Sequence, residues 1–434
     1  MKVAFHTLGC KVNQYETEAM KEEFIMAGFD VVSEDEKADV YVINTCTVTN
    51  IADRKSRQYI RKMKALSPDA VVAVCGCYSQ VKPEELEKMP EVDIVMGNGE
   101  KNTLIYHVLS NIKLKSMGEK PKTLVKVLPY ESLTEYSDHG IIKSMDGKTR
   151  AYIKIEEGCD RFCSYCLIPF ARGHVRSRNQ DEIVEEAKML INNGFKEIVL
   201  TGINTALCDD LAGVIERIND IPGDFRIRLS SLEPTVVNSE YVKKLLKYEK
   251  LCHHLHLSIQ SGSDNVIKNM NRNYTRNEYL DIVKVLREFD PGYGITTDII
   301  VGFPGETEDD FKDSLSITDL VKFGKVHVFK YSKRKGTVAE KLPNQVDGNI
   351  KNERSDRLIE AGDKASIEFR ESLIGTERVV LFEEENSNRN ENSGYTDNYI
   401  KVYTIGNKKY LNELKKVRLL EIYKDGMKGE VIDG

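Results

Sequence analysis

The sequence predicts an α/β protein in three parts: an N-terminal open parallel α/β domain, a central partial (β/α)6 barrel of the TIM type, and a C-terminal small antiparallel β-barrel. Strand-length apolar runs alternate with helical-period stretches from residue 2 to about 112, and again from 151 to 331. Such βα repetition builds parallel sheets with helices on their faces. Beyond residue 375 the helical period gives way to short alternating runs, RVVLF, NYIKVYT and KKVRLLEIY, separated by turn residues, which read as a small antiparallel barrel. A chain of 434 residues has room for about three cores. The expected boundaries are 1–112, a linker at 113–149, 150–374 and 375–434.

Bulk properties narrow the class. The composition, 40% hydrophobic and 30% charged, is that of a globular protein. A net charge of −6 excludes a uniformly basic nucleic-acid coat, so any RNA binding must come from local patches. The start, MKVAFHTLGCKVNQ, is broken by His6 and Lys11 and reads as neither signal nor transit peptide. Nowhere do eighteen apolar residues run together, so no membrane span and a cytoplasmic location are expected. Nine cysteines, an odd number, read as reduced thiols or metal ligands rather than a disulfide framework.

In the first part, apolar runs at 3–8, 40–44, 70–74 and 92–96 alternate with helical stretches at 14–27, stopped by Gly28, and at 51–65. A cysteine follows three of these runs: Cys10 in LGC, Cys46 in INTC and Cys77 in CGC. Loops after the carboxyl ends of parallel strands gather on one edge, where ligands bind, so three thiols distant in sequence are expected to meet. Cys75 is two residues from Cys77, and strand alternation points both to one face. Cys77, placed where the chain turns after Gly76, is taken as the third member, and Cys75 as the strand's last packing residue. Arg54, Arg57, Arg61 and Lys64 recur at three- and four-residue spacing with Lys55 and Lys62 beside them. The stripe is either a solvated helix face or a phosphate-contacting surface.

The barrel opens on a strand at 151–155 that feeds the segment GCDRFCSYC at 158–166. Cys159, Cys163 and Cys166 stand in a C-x3-C-x2-C array, a close set of soft thiolates suited to an iron-sulfur cluster. Structural zinc takes four closed ligands, whereas three cysteines on a four-iron cubane leave one iron open. This array resembles the radical S-adenosylmethionine (SAM) superfamily, and the resemblance implies that SAM chelates the open iron and is cleaved to a 5′-deoxyadenosyl radical. Further strands at 197–200, 227–230, 255–259, 295–301 and 326–331 make six βα units. Their carboxyl ends carry the polar motifs. Gly202 and Asn204 in TGIN, Glu233 in SSLEP, Gln260 in LSIQSGS and Asp298 in GITTDIIVGFPGE are the candidate SAM contacts. Asp298 stands out because an unpaired carboxylate in a buried run is costly. His253, His254 and His256 have no partner motif and read as structural.

Cationic stretches suit a polyanionic substrate. Arg172, Arg176 and Arg178 follow the cysteine loop and are expected to ring the barrel mouth, with Arg272 in NRNYT and Arg334 in YSKRKGTVA near the same opening. The tail resembles the TRAM domain, an RNA-binding barrel, best in GYTDNYIKV at 394–402, where Tyr395 and Tyr399 are expected to stack on unpaired bases.

Two three-cysteine sites in this order resemble the radical SAM methylthiotransferases. The segments LGCKVNQYETE and INTCTVTNIADRKSRQYIRK are similar to the branch acting on N6-threonylcarbamoyladenosine in tRNA. The resemblance implies two [4Fe-4S] clusters, one on Cys10, Cys46 and Cys77 and one on Cys159, Cys163 and Cys166. It further implies methyl transfer from SAM to a sulfur at the first, and radical attack at carbon 2 of the adenosine at position 37 through the second. Partners follow: the anticodon loop of tRNA, an electron donor such as flavodoxin or ferredoxin, and a sulfur source. The competing readings are the same chemistry on isopentenyladenosine or on a ribosomal-protein aspartate, and a zinc-stabilised RNA-binding protein without catalysis.

Overall fold

The structure, a computed structural model, describes every residue except 138, 139, 144, 146, 407, 433 and 434. Four of these fall in the segment read as linker, and the last two close the tail.

The N-terminal sheet is fully parallel, with β1 (Lys2–Thr7), β2 (Asp30–Val32), β3 (Val40–Thr45), β4 (Val71–Gly76), β5 (Ile94–Met96) and β6 (Leu124–Lys126) in the order β2-β1-β3-β4-β5-β6. β3 and β4, buried at every position, form its centre. Their near-continuous apolar runs are what a strand covered on both faces requires. The segment read as linker supplies the short strand β6, and the helix Leu104–Ser116 runs past residue 112. A three-residue strand set between Pro121 and Pro129 is too short to show a period.

The central part contains β7 (Arg150–Lys154), β8 (Glu156–Glu157), β9 (Arg176–Ser177), β10 (Glu197–Thr201), β11 (Arg226–Leu229), β12 (Ser231–Leu232), β13 (His254–Leu257), β14 (Gly294–Val301) and β15 (Lys325–Lys330). β7-β10-β11 and β12-β13-β14-β15 are parallel ladders, β11 and β12 being separated by Ser230 alone. The result is the expected six-position barrel, open between β7 and β15. Strand alternation sorts its side chains. Ile153, Ile198, Leu200, Ile227, Leu229, Leu255, Leu257, Ile295 and Ile299 belong to one large apolar cluster shared with the surrounding helices. The alternate positions Arg150, Lys154, Glu197, Arg228, His254, His256, Thr296 and Asp298 therefore face inward and make a polar lumen.

The tail forms a closed barrel, β16 (Glu377–Asn386), β17 (Glu391–Thr396), β18 (Lys401–Ile405), β19 (Leu414–Tyr423) and β20 (Gly426–Val431), in the order β16-β17-β18-β20-β19. Its pairs are antiparallel except β18 with β20. It docks on the amino ends of the central strands, the end away from the cysteine loop. Arg226 donates to the carbonyls of Val379 (3.1 Å) and Tyr395 (2.9 Å), and Arg228 to those of Asp397 (3.0 Å) and Thr396 (3.1 Å). Buried Glu197 accepts from both guanidiniums, at 2.5 and 2.7 Å. Two arginines sharing one carboxylate leave donors for backbone acceptors, which makes the junction specific in register.

Candidate active site

The segment 158–166 is pinned at its base before it displays its thiols. β8 pairs with β9 across it, and Cys159 N donates to Gly173 O at 3.0 Å. Gly158 sits at φ +88°, and a Cβ there would lie 1.7 Å from His174 O, so only glycine fits. Cys159, Cys163 and Cys166 line a cavity of about 230 Å³ with Asn204, Glu233, Gln260, Arg272 and Asp298. Four of the five expected SAM contacts thus share a wall with the thiols. Gly202 stands just behind: a Cβ there would lie 2.6 Å from Glu156 Oε2, which accepts from Asn204 N at 2.9 Å. Among the described residues no three His, Cys, Asp or Glu side chains close on one point as a single ion requires; the 159–166 thiols stand open around the cavity.

Unsatisfied polar atoms stand on the wall and just behind it. Asn204 Oδ1, on the wall itself, and Glu156 Oε1, behind Gly202, are buried without a hydrogen-bond partner, and for the wall atom that is the state expected of a group that awaits a polar ligand. Burial pushes the Glu156 carboxyl up to about 8. Glu233 is buried rather than solvated, accepting from Asn204 Nδ2 at 2.8 Å and facing Arg161 Nε at 2.9 Å. Burial raises the Asp298 carboxyl, but His256 (3.1 Å) and Ser258 (3.1 Å) outweigh it and hold it below its usual range. Gln260 is at φ +66°, an unusual conformation for a side-chain-bearing residue, held by Gln260 N to Asp298 O and Ile300 N to Gln260 O. Burial pushes the Cys159 and Cys166 thiols up to about 12, so they bind metal only by giving up their protons to it.

The other three thiols come from three strand ends. Cys10 follows β1 and caps the helix Lys11–Met26, Cys46 follows β3, and Cys77 begins the helix Cys77–Val81 after β4. The loops interlock: Asn13 Nδ2 donates to Leu8 O (2.7 Å) and Thr45 O (3.0 Å). A Cβ on Gly9 would touch the Cys46 Cβ at 3.0 Å, and one on Gly76 would meet Thr45 O at 2.4 Å. Cys10, Cys46 and Cys77 lie within electrostatic reach of one another, and burial together with the neighbouring thiols raises Cys46 to about 12. Cys75 parts from them because the helix starts at Cys77; it joins the apolar cluster of Val3, Phe5 and Ala73. Arg172 Nε reaches Cys77 Sγ at 3.3 Å, and Asn98 Nδ2 lies 3.9 Å from it while donating to Ala171 O.

The expectation that Arg172, Arg176 and Arg178 ring the barrel mouth is corrected. Arg172 is fully buried and bonds Glu16 and Asn13. Arg176 bonds Leu133 O, Arg172 O (3.0 Å) and Glu157 (3.1 Å), and Arg178 bonds Glu186 and Tyr15. Arg172 and Arg178 cross the seam to the first domain, at Glu16, Asn13 and Tyr15, and Arg176 ties the cysteine loop to Leu133, so the three are spent on buried partners instead of ringing the barrel mouth. Arg272 packs in the cluster cavity, its Nη1 3.8 Å from Cys163 Sγ. Arg334 pairs with Asp53 at 3.0 Å and Thr47 at 2.7 Å across the same seam. Half-buried Tyr395 stacks on Tyr399 at 5.1 Å, and Tyr399 in turn lies against His254 and Arg228 at the barrel floor. Sequence could not show most of this, because partner carboxylates such as Glu16 for Arg172 and Asp53 for Arg334 lie 156 and 281 residues away. The cationic stripe is also mostly paired: Arg57 with Glu85, Arg61 with Glu91, Lys62 with Asp35 and Lys64 with Asp93. Among the described residues, exposed Arg54 and Lys55 carry no ion pair.

Comparison with known proteins bears on the same two sites. Residues 2–97 match the family described as uncharacterized protein family UPF0004, and residues 153–317 match the radical SAM superfamily. The chain is 40% identical to threonylcarbamoyladenosine tRNA methylthiotransferase MtaB of Bacillus subtilis (strain 168), over 99% of this chain and 97% of that protein. It is 38% identical to the protein of that name from Thermotoga maritima, over 100% and 98%. A tRNA-2-methylthio-N(6)-dimethylallyladenosine synthase of Moorella thermoacetica is 35% identical over 99% and 98%. Among solved structures, the radical S-adenosylmethionine methyltransferase TsrM of Kitasatospora setae superposes with a TM-score of 0.57 at 15% identity, over 76% of this chain and 72% of that one. That likeness is one of fold.

Proposed function

The chain belongs to the radical SAM tRNA methylthiotransferases, and from that premise we propose that the residues of its two thiol sites divide the reaction as follows. The enzyme converts N6-threonylcarbamoyladenosine in tRNA to its 2-methylthio derivative, the substrate being that of the relatives matched at up to 40% identity. The observation that carries this reading is the presence of two three-thiol sites, each one ligand short of a closed set, in one full-length match.

When bound, the [4Fe-4S] clusters and SAM supply radical activation of an inert C–H bond and a sulfur acceptor for the methyl group. The chain's own residues supply the rest. Cys159, Cys163 and Cys166 hold one cluster, and Cys10, Cys46 and Cys77 the other. The orphaned oxygen of Asn204, with Glu233, Gln260 and Asp298, orients SAM, and the backbone at Gly202, backed by Glu156, lets the chain approach it. Arg272 and Arg172 each aim a guanidinium at one cluster thiol, a fixed charge that tunes bound metal. The open side of the barrel admits the base at position 37 from a single-stranded anticodon loop. Electrons come from a flavodoxin- or ferredoxin-like donor and sulfur from a separate source. No helix among the described residues is long and apolar enough to cross a membrane.

Nucleoside mass spectrometry of total tRNA, with and without the gene, tests the substrate. Loss of 2-methylthio-N6-threonylcarbamoyladenosine with accumulation of its precursor is the expected result. Loss of the isopentenyl derivative instead, or of neither, overturns the assignment.

A further inference from the structure

The lumen of the central barrel holds a run of polar side chains, although well-packed apolar ones often stabilise a buried space at least as well as ionic groups do. On β14, Asp298 lines the cavity shared with Cys159, Cys163 and Cys166, and 27% of its side chain stays exposed. Its Oδ2 meets two donors, His256 Nε2 at 3.1 Å and Ser258 Oγ at 3.1 Å. Oδ1 meets none among the described residues, so it is the oxygen left for the cavity. The backbone is held as well: Gln260 N donates to Asp298 O at 2.9 Å, and Ile300 N to Gln260 O at 2.8 Å.

The hydrogen bonds also fix where the protons sit. An ionised carboxylate only accepts, so His256 carries a proton on Nε2 and gives it to Asp298. His256 Nδ1 accepts from Thr296 Oγ1 at 2.9 Å, which spends the one proton of that hydroxyl. Thr296 Oγ1 then accepts from His254 Nε2 at 3.0 Å, and the bare Nδ1 of His254 is the atom that is buried with no partner. The opposite direction would place a proton on that Nδ1, and an orphaned buried N–H is the rarer case. Every donor in the chain His254–Thr296–His256–Asp298 therefore points toward the cavity. His327 on β15, its ring centre 5.9 Å from that of His256, makes no hydrogen bond to His256 or Asp298.

We propose that His256 is a positioning residue for SAM: it holds Asp298 by Oδ2 so that Oδ1 stays turned to the cavity, and Thr296 and His254 fix the tautomer it needs. The proposal rests on the reading of this cavity as the SAM site given above. A carboxylate oxygen presented in this way takes a hydroxyl donor, and the ribose of SAM carries two. Without His256, Asp298 keeps one donor in place of two, and a buried charge short of donors turns to whatever donor is near. His256, which reads in sequence as a structural histidine, thus acts on the cofactor through Asp298.

The test is the dissociation constant of SAM for the full-length, iron-loaded protein, measured by equilibrium dialysis with labelled SAM and read beside iron content. His256→Gln puts an amide N–H near the place of Nε2, whereas His256→Asn reaches only as far as Nδ1. His256→Asn is expected to bind SAM about tenfold more weakly, the loss of one hydrogen bond to a charged group, and His256→Gln to stay within about twofold of the parent. Asp298→Asn also weakens binding about tenfold, and adding His256→Asn to it costs nothing more, because the one residue acts through the other. Thr296→Val removes the donor to Nδ1 at nearly constant shape and costs about threefold. Parent affinity in His256→Asn, equal weakness of His256→Gln and His256→Asn, or losses that multiply in the double variant overturn the positioning role. Should His256→Asn fail to load iron, Thr296→Val decides, and parent affinity there overturns it. If Asp298→Asn weakens SAM binding while the His256 variants do not, the positioning role alone has failed. If Asp298→Asn binds SAM like the parent, the reading of the cavity has failed with it.

Discussion

The two thiol trios solve one problem in opposite ways. Cys159, Cys163 and Cys166 lie on a single loop whose ends are tied by Gly158, β8 and β9, so the site is nearly complete in local backbone. Cys10, Cys46 and Cys77 are distributed over three strand ends, and their third member is held by Arg172 from the neighbouring domain. Arg172 stands six positions after Cys166 in sequence, on the helix Ile168–Arg172 that continues the first loop. The local site therefore braces the distributed one. The difference teaches that a motif marks a site that can form early and alone, whereas a site without a motif depends on the packing of its whole domain and on one buried ion pair.

The largest effect separates the two by chemistry. Replacing Cys159, Cys163 and Cys166 with alanine is expected to abolish both 5′-deoxyadenosine release and the methylthio product. Replacing Cys10, Cys46 and Cys77 is expected to abolish the product but leave SAM cleavage, and each triple variant loses about four irons. Chromatography of SAM products and iron analysis on the same preparations check this. SAM cleavage lost equally in both variants breaks the division of labour.

A smaller effect probes the brace. Glu16 is buried and held well below the usual carboxylate range by Arg172, Lys101 and Lys154, which outweigh its desolvation. Arg172→Met removes the main partner of a buried charge, expected to cost about 3–5 kcal/mol in unfolding free energy. The comparison sharpens if iron is lost first from the distributed site. The readouts are denaturant unfolding and the iron content of Arg172→Met in the Cys159, Cys163, Cys166 triple-alanine background. Unchanged stability, or iron retained there, shows that the distributed site stands without its brace.

The same contrast explains what sequence revealed. The C-x3-C-x2-C array needed no fold to be read. The distributed trio was legible only through βα repetition, which places strand ends on one edge; the choice of Cys77 over Cys75 matches a helix start that alternation alone does not show. The barrel's polar lumen was hinted at by Asp298 and by His254 and His256, which read as structural because single-sequence spacing cannot show which strands surround them. Arg172, Arg176 and Arg178 looked like substrate contacts because charge is visible in sequence and its partner is not. Glu16 neutralises Arg172 across the seam, and Glu157 and Glu186 neutralise Arg176 and Arg178 from within the central domain. Tyr399 was read as a base-stacking residue, and the floor it makes depends on a domain docking that leaves no trace in the tail's own pattern.

The smallest effect concerns where RNA is gripped. With the arginines after Cys166 consumed in the seam, the local site has little free charge to offer phosphate. The distributed site keeps Arg54 and Lys55, exposed in the first turns of the helix Asn50–Leu66, a few residues beyond Cys46. Val48 and Ile51 beside them are exposed as well, at 60% and 58%, so this rim joins free cations to apolar contact area. Exposed lysine and arginine that meet phosphate act by counterion release, about 0.9 in salt slope for each contact on a duplex and about 0.7 on a single strand. Arg54→Gln with Lys55→Gln is therefore expected to weaken tRNA binding several-fold and to lower the slope of log affinity against log salt by about 1.5. The two positions are exposed and unpaired, so thermal stability should stay within about 0.5 kcal/mol of the parent. An unchanged slope would return the stripe to a merely solvated face and move the search for RNA contacts to the C-terminal barrel, where Lys401 and Tyr395 border the open edge.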